Sequence, residues 1–256
     1  MSRTLSEPAP FPQTARRSRR PSTRYERIIG GARLRSWTPV FYDLWRRMGR
    51  GVRFCTLRAA IVRPQMAERP GGYLLACTHL SHLEPFIVGI MVDRQIDWMA
   101  RLEFYDRWWS WMFLNIIGAF PVKRQGVPVS TIRTAIRRVA AGRVVGIFPE
   151  GGVARGSDSV CRGGKAKRGV CLIAYRANVP IIPCVTLGTD KLNAVGPWLP
   201  FRRARVWIAF GEPIWPDQTL SPRPARQQMA ECFERACVTL CRELIETHRL
   251  GDGVVP

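Results

Sequence analysis

Apolar and polar positions along the chain follow two alternating rhythms. Short β-rich runs at Tyr73–Cys77 (YLLAC), Val144–Phe148 (VVGIF), Ile181–Val185 (IIPCV) and Arg205–Phe210 (RVWIAF) read as strands, with Ile96–Ala100 a weaker one. Between them apolar residues recur at helical spacing. Ser130 is placed to cap a helix carrying Ile132, Ile136 and Val139, and Lys165–Ala177 keeps Val170, Ile173, Ala174 and Ala177 on one side. Arg226–His248 reads as a surface helix with Met229, Phe233, Ala236 and Leu240 in register. Strand and helix in alternation predict an α/β fold, a mostly parallel or mixed sheet flanked by helices. No internal repeat is visible. The longest apolar run, Trp108–Val122, is broken by Ser110, Asn115, Gly118 and Pro121, short of the roughly 20 residues that span a bilayer.

One more helical period precedes the strands. Trp37, Val40, Phe41, Leu44, Trp45 and Met48 fall on one face, Arg46, Arg47 and Arg50 lie off it, and Pro39 is tolerable in a first turn. Such an N-terminal amphipathic helix either packs its stripe on the domain or lies in a membrane interface with the stripe among acyl chains. The charge beside it calls for an anionic counter-surface. The chain has 256 residues, 40 Lys+Arg against 19 Asp+Glu and a net charge of +21; residues 1–60 hold fourteen arginines, no lysine and only Glu7, Glu26 and Asp43 as acids. The counter-surface is anionic lipid or nucleic acid. No helix-turn-helix, RNA-recognition or zinc-finger pattern is present, so nucleic acid is not the expected partner.

The chain divides into three segments: a disordered basic tail over 1–22, an amphipathic membrane-interface helical segment over 23–60, and an α/β domain over 61–250. A hydrophobic content of 46% excludes a wholly disordered basic protein. The N-terminus has no apolar stretch of the secretory type, so the expected place is the cytoplasmic face of a membrane, peripherally bound. Eight cysteines are scattered without a CxxC pair or a matching histidine cluster, so neither a metal site nor a disulfide framework is expected. Trp108, Trp109, Trp111, Met112 and Phe113 pack in the core, line an apolar channel or face the membrane.

Chemistry concentrates just beyond the strand ends, where active residues of α/β sheets gather. After YLLAC come Thr78, His79, Leu80, Ser81, His82, Leu83, Glu84 and Pro85, which hold two of the three histidines. If a helix begins near Ser81, the His79 imidazole can turn back to the Glu84 carboxylate, a base and its orienter. After VVGIF comes Pro149-Glu150-Gly151-Gly152-Val153-Ala154-Arg155, a Gly-rich turn suited to an oxyanion or phosphate, with Arg155 adding donors. It is not a Walker loop, because no Gly-Lys-Ser/Thr comes after it. Gly118–Arg124 (GAFPVKR) is read as a loop ending in the cations Lys123 and Arg124. No GxSxG elbow points to a hydrolase.

The order His79–Pro85 (HLSHLEP), Gly118–Arg124 (GAFPVKR), Phe148–Gly152 (FPEGG) and Val179–Cys184 (VPIIPC) resembles the four motifs of the glycerolipid acyltransferases typified by 1-acylglycerol-3-phosphate acyltransferase, over about residues 35–215. The resemblance implies acyl transfer from acyl-CoA or acyl-carrier protein to the free hydroxyl of a lysophospholipid, 1-acylglycerol-3-phosphate first among the acceptors. His79 would be the general base and Glu84 would hold its tautomer. Lys123, Arg124, Glu150, Gly151, Gly152 and Arg155 would bind the phosphate or glycerol part, with Ser81 and Gly118 supporting the turns. No cofactor is implied beyond the acyl donor as co-substrate. Three departures stand out. Glu84 replaces the usual Asp, Thr78 stands where Asn is common, and Gly152 and Val153 occupy the usual Thr and Arg positions, with Arg155 two residues on. A different acceptor, or a non-catalytic lipid-binding relative, is the alternative.

Overall fold

The computed structural model of the chain describes residues 38–122, 129–190, 204–251 and 254. The expected tail over 1–22, Trp37, Lys123 and Arg124 lie outside the described residues. Within them, the apolar runs form a seven-stranded sheet: β1 (Leu57–Val62), β2 (Tyr73–Cys77), β3 (Ile96–Arg101), β4 (Phe120–Val122), β5 (Val144–Ile147), β6 (Ile181–Leu187) and β7 (Ala204–Phe210). Their spatial order is β1-β7-β6-β2-β5-β3-β4. Every neighbouring pair is parallel except β6 and β7. Strands β2, β5 and β6 are buried at every position, the mark of a parallel sheet covered on both faces.

The helices supply the two layers. On one face α4 (Val129–Ala140), α5 (Gly169–Ala177) and α6 (Pro222–His248) bury Ala135, Val170, Ile173, Met229, Phe233 and Leu240 against Leu74, Val145 and Val185. On the other α1 (Thr38–Thr56), α2 (Glu84–Met91) and α3 (Trp108–Ile116) bring Tyr42, Ile87, Val88 and Leu114 against Leu75, Ile96 and Ile182. Several expectations shift. Strand β1 runs through the boundary drawn at residue 60, and β4 forms from a stretch read as loop. Ser130 lies inside the first turn of α4 rather than before it, and α5 starts at Gly169 rather than Lys165. Helix α6 covers the sheet with its outer face in solvent and buries Met229, Phe233 and Leu240 as expected, but Cys237 rather than the half-buried Ala236 joins them in the core.

Helix α1 docks by the side that composition makes least obvious. Tyr42 is buried and Trp45 packs edge-on to Phe86 of α2 and Phe113 of α3, at 6.4 and 6.5 Å between ring centroids. Arg46 and Arg50 reach Asp93 just past the end of α2, at 3.0 and 2.7 Å. Trp45 thus leaves the apolar stripe for the core, while its other described members stay in solvent, with Val40 68%, Leu44 53% and Met48 65% exposed. Beside it α3 exposes Trp108, Trp109, Trp111 and Met112, so these four are not core packing, whereas the half-buried Phe113 packs against the core. No helix among the described residues is long and apolar enough to cross a membrane.

A buried ion cluster pins the β3 side of the sheet. Asp97 is fully buried and holds Arg143 Nε at 2.6 Å and Arg138 Nη1 at 3.0 Å. Arg138 also donates to the Gly118 carbonyl and lies over the Phe120 ring, 4.6 Å from its centroid. Gly118 turns the chain into β4 at φ +74°, where a Cβ would press on the Asp97 carboxylate. The GAFPVKR stretch is thus anchored from beneath at its glycine.

Candidate active site

Strand β2 lies between β5 and β6, so the chain beyond Cys77 emerges at the middle of the sheet. It is steered there by Thr78, whose backbone N–H donates to the Cys184 carbonyl at 3.0 Å and whose hydroxyl accepts from Thr186 N at 3.1 Å. His79 comes next, nearly buried. Its Nδ1 lies 2.9 Å from Oε2 of Glu84, the first residue of α2. The helix begins three residues later than expected, so the imidazole and carboxylate meet across a turn. Ser81 supports that turn, its Oγ accepting from Leu83 N at 3.2 Å. The cap position of α2 is Leu83, with no side-chain cap bond, so Ser81 does not cap the helix itself.

Glu84 is 0% exposed, and a buried carboxylate is tolerable only when its oxygens are satisfied. Leu80 N donates to both oxygens, at 2.9 and 3.0 Å, while the hydroxyls of Thr186 and Thr189 donate to Oε1 at 2.8 and 2.7 Å. Sequence reasoning missed both threonines. The available signal was Thr186, a polar residue near the end of an otherwise apolar strand. With Nδ1–H given to Glu84, the lone pair of the neutral imidazole resides on Nε2, the arrangement of a general base with its orienting acid.

The imidazole is also held by its face. Phe148 stacks on it with centroids 4.1 Å apart and an angle of 28°, and Trp98 stacks on Phe148 at 5.0 Å and 12°. A residue of the FPEGG run is therefore part of the histidine's seat, which no local pattern reveals. His82, whose ring centroid is 5.9 Å from that of His79, is exposed. Burial, the neighbouring His79 and Arg101 together push its pKa down, so it favours the neutral form.

Glu150 departs from the expected role. Its Oε2 accepts from His79 N at 2.6 Å and its Oε1 from Val160 N at 3.0 Å, so the carboxylate is committed to the frame rather than offered to a ligand. Burial raises its pKa, and those two N–H donors pull the other way. Ala154 N donates to the His79 carbonyl at 2.9 Å, which fastens the Gly-rich turn to the catalytic segment from its other end. Arg155, the next residue, is exposed beside it. Gly151 has φ +76° and its missing Cβ leaves room for the Lys167 ammonium, a cation that sequence reasoning did not single out. Gly152 has open space around it, so nothing nearby demands glycine there.

The structure thus brings together His79, Glu84, Ser81 and Glu150, with Gly151, Gly152 and Arg155 on the turn that Ala154 fastens to the His79 carbonyl, while Gly118 serves the turn before β4. Among the described residues no group of three or more His, Cys, Asp or Glu side chains is placed to share a metal ion. The cysteines near the site are buried thiols; burial and the adjacent Cys184 push the Cys77 thiol well above its ordinary pKa, which leaves it inert as a nucleophile.

Comparison with known proteins identifies the family. The sequence profile of the acyltransferase family matches residues 58–187. A 1-acyl-sn-glycerol-3-phosphate acyltransferase of Bacillus subtilis is 30% identical over 164 residues, 64% of this chain and 76% of the relative. The Streptococcus pneumoniae protein of the same name is 30% identical over 145 residues, 56% of this chain and half of its own length. The crystal structure of the 1-acyl-sn-glycerophosphate acyltransferase from Thermotoga maritima superposes with a TM-score of 0.59 over 83% of this chain and 87% of that one, at 18% identity, which speaks for the fold. The chain belongs to the glycerolipid acyltransferase family and is a 1-acylglycerol-3-phosphate acyltransferase-like enzyme.

Proposed function

We propose that this enzyme transfers a fatty acyl group from a thioester donor, acyl-CoA or acyl-carrier protein, to the free hydroxyl of a lysophospholipid, with 1-acylglycerol-3-phosphate as acceptor and phosphatidic acid as product. The observation that carries the reading is the His79–Glu84 pair, a nearly buried imidazole with Nδ1 held 2.9 Å from a fully buried carboxylate. His79 Nε2 takes the proton of the acceptor hydroxyl as its oxygen attacks the thioester carbonyl. The tetrahedral adduct collapses, the carbon–sulfur bond breaks, and the leaving thiolate takes the proton back from the imidazolium. Glu84 stabilises that imidazolium, and the Phe148 ring keeps it from turning. An alcohol is barely ionised at neutral pH, so the base supplies about 10²–10⁴-fold of the rate.

The acceptor's identity rests on the names of the curated relatives and on the cations around the turn. Arg155 on the Gly-rich turn and Lys167 lying against Gly151 stand in for the family's usual arginine and offer a phosphate its donors. Lys123 and Arg124, expected in the same role, lie outside the described residues. The exposed stripe of α1 and the tryptophans of α3 hold the enzyme peripherally on the cytoplasmic face of an anionic membrane, where the acceptor resides. Their apolar surface enters the acyl boundary, and the excess arginine adds attraction of about 1 kcal/mol per residue near the lipid phosphates.

The test is an acyl-transfer assay with purified protein, anionic liposomes, palmitoyl-CoA or palmitoyl-carrier protein, and a panel of lysolipids, with His79→Ala in parallel. Product from wild type that falls by about 10²-fold or more in the variant is expected. Transfer that survives His79→Ala removes the dyad from the mechanism. No transfer from either donor while liposome binding persists replaces the enzyme reading with that of a lipid-binding relative.

A further inference from the structure

A second concentration of charge lies away from the histidine. A cleft of about 430 Å³ opens between strands β1 and β7 and the end of α6, lined by Arg58, Arg205, Trp207, His248 and Arg249 among others. Arg58 and Arg205 are register partners on adjacent parallel strands, so their guanidinium groups share one stretch of the sheet. Like charges side by side oppose folding unless something neutralises them. Among the described residues no carboxylate pairs with Arg58, Arg205 or Arg249, and no acid among them lines the cleft. The C-terminal end of α6 accounts for one cation, since helix carbonyls favour positive charge, but not for the arginine pair on the strands. The buried Nε2 of His248 also lacks a hydrogen-bond partner among the described residues. Trp207 adds an indole beside the three guanidinium groups.

The cleft's position ties it to catalysis. Trp207 is the register partner of Leu187, and the Arg205 carbonyl and the Trp207 ring crowd the space where Gly188 would carry a Cβ. Gly188 lies between Thr186 and Thr189, the two hydroxyls that hold Glu84. Only β6 separates β7 from β2, so these two strands lie about 10 Å apart at roughly 4.8 Å per strand spacing, and the cleft and the catalytic segment meet the same edge of the sheet. The cleft opens on the α6 face and His79 faces the α2 side, so a ligand spanning both passes over the edge at Gly188.

We propose that this cleft binds the phosphorylated adenosine end of coenzyme A, with Arg58, Arg205 and Arg249 taking its phosphate groups and Trp207 lying against the base. The inference rests on the acyltransferase reading for its place in the reaction and names the donor within it. The pantetheine arm, with its two amides and linking methylenes, then carries the thioester across the edge to His79. Guanidinium forks suit phosphate oxygens, and an indole suits a flat heterocycle.

Calorimetric titration of the full chain with free coenzyme A, adenosine 3′,5′-bisphosphate, inorganic phosphate and pantetheine tests it. Coenzyme A and the bisphosphate are expected to bind, pantetheine and phosphate much more weakly. Arg58→Ser with Arg205→Ser is expected to weaken coenzyme A binding about tenfold or more and to raise KM for palmitoyl-CoA to a similar degree with kcat little changed. Arg205→Lys, which keeps the charge and loses the fork, should fall between. His79→Ala should bind coenzyme A as wild type does. Equal affinity in wild type and the double variant overturns the proposal, as does pantetheine binding as tightly as coenzyme A or binding lost in His79→Ala. Transfer from the carrier protein alone, with no coenzyme A binding, sinks the cleft and leaves the acyltransferase reading intact. Coenzyme A binding that needs the two arginines, with no transfer to any acceptor, does the reverse.

Discussion

Glu84 stands where the family resemblance leads one to expect aspartate, and its surroundings show what the extra methylene achieves. The longer side chain keeps Oε2 on His79 while Oε1 reaches the threonines at the end of β6. A hydrogen bond to a charged acceptor is worth about 1.5–3 kcal/mol. Thr186→Val and Thr189→Val should each lower kcat by roughly tenfold with KM within about twofold, and serine at either position should restore it; steady-state kinetics on the four variants decide. Glu150 makes a pH prediction. Its folded pKa is raised by burial, so the folded chain binds this proton more tightly than the unfolded one. Stability from this group is therefore present at low pH and lost as pH climbs from the ordinary carboxylate value through the raised one. Melting temperatures across about pH 4 to 7 should show that decline in wild type and a flatter profile in Glu150→Gln.

The elements were unevenly legible, and the pattern has a physical cause. Strands β2, β5 and β6 announce themselves because both faces are buried, which demands an unbroken apolar run. The two strands that periodicity did not reveal, β1 and β4, are the two edges of the sheet. An edge strand tolerates polar residues and proline, and these carry the exposed Arg58 and the buried Pro121. In α1 the stripe was legible but its destination was not, because an apolar face suits a core and a bilayer equally. Leu44→Glu with Trp108→Glu should weaken partitioning onto anionic vesicles by about 100-fold or more, since each side chain buried in lipid is worth about 1.5–3 kcal/mol. Both side chains are exposed, so the melting temperature without lipid should be nearly unchanged; vesicle co-sedimentation beside a thermal melt reads both.

At the scale of the whole molecule the sheet acts as a bench that collects distant segments at one edge. Residues 78–84, the Gly-rich turn, the Val160 backbone and Thr186–Thr189 converge there, and Glu84 is bonded to a threonine 105 positions away. The β3 side of that bench is kept in register by Asp97 with Arg138 and Arg143, which link β3, α4 and the turn into β4. Removing one member of a buried ion cluster leaves the others uncompensated. Asp97→Ala should cost about 3–5 kcal/mol of stability in a urea titration, far more than a surface carboxylate would.

From the sequence alone came the layered α/β class, the central strands, the pairing of His79 with Glu84 and the family, because each rests on local periodicity or on short motifs in order. Only the tertiary structure decided which side of α1 stays uncovered, that Glu150 turns inward to hold the His79 backbone, that Phe148 seats the imidazole, and that Thr186 and Thr189 complete the Glu84 shell. It likewise gathered Arg58, Arg205 and Arg249 around one cleft. The reason is range: a helix or strand period is set by neighbours a few residues apart, whereas a hydrogen-bond partner or a shared cleft is set by how strands are ordered in the sheet, which no local spacing encodes.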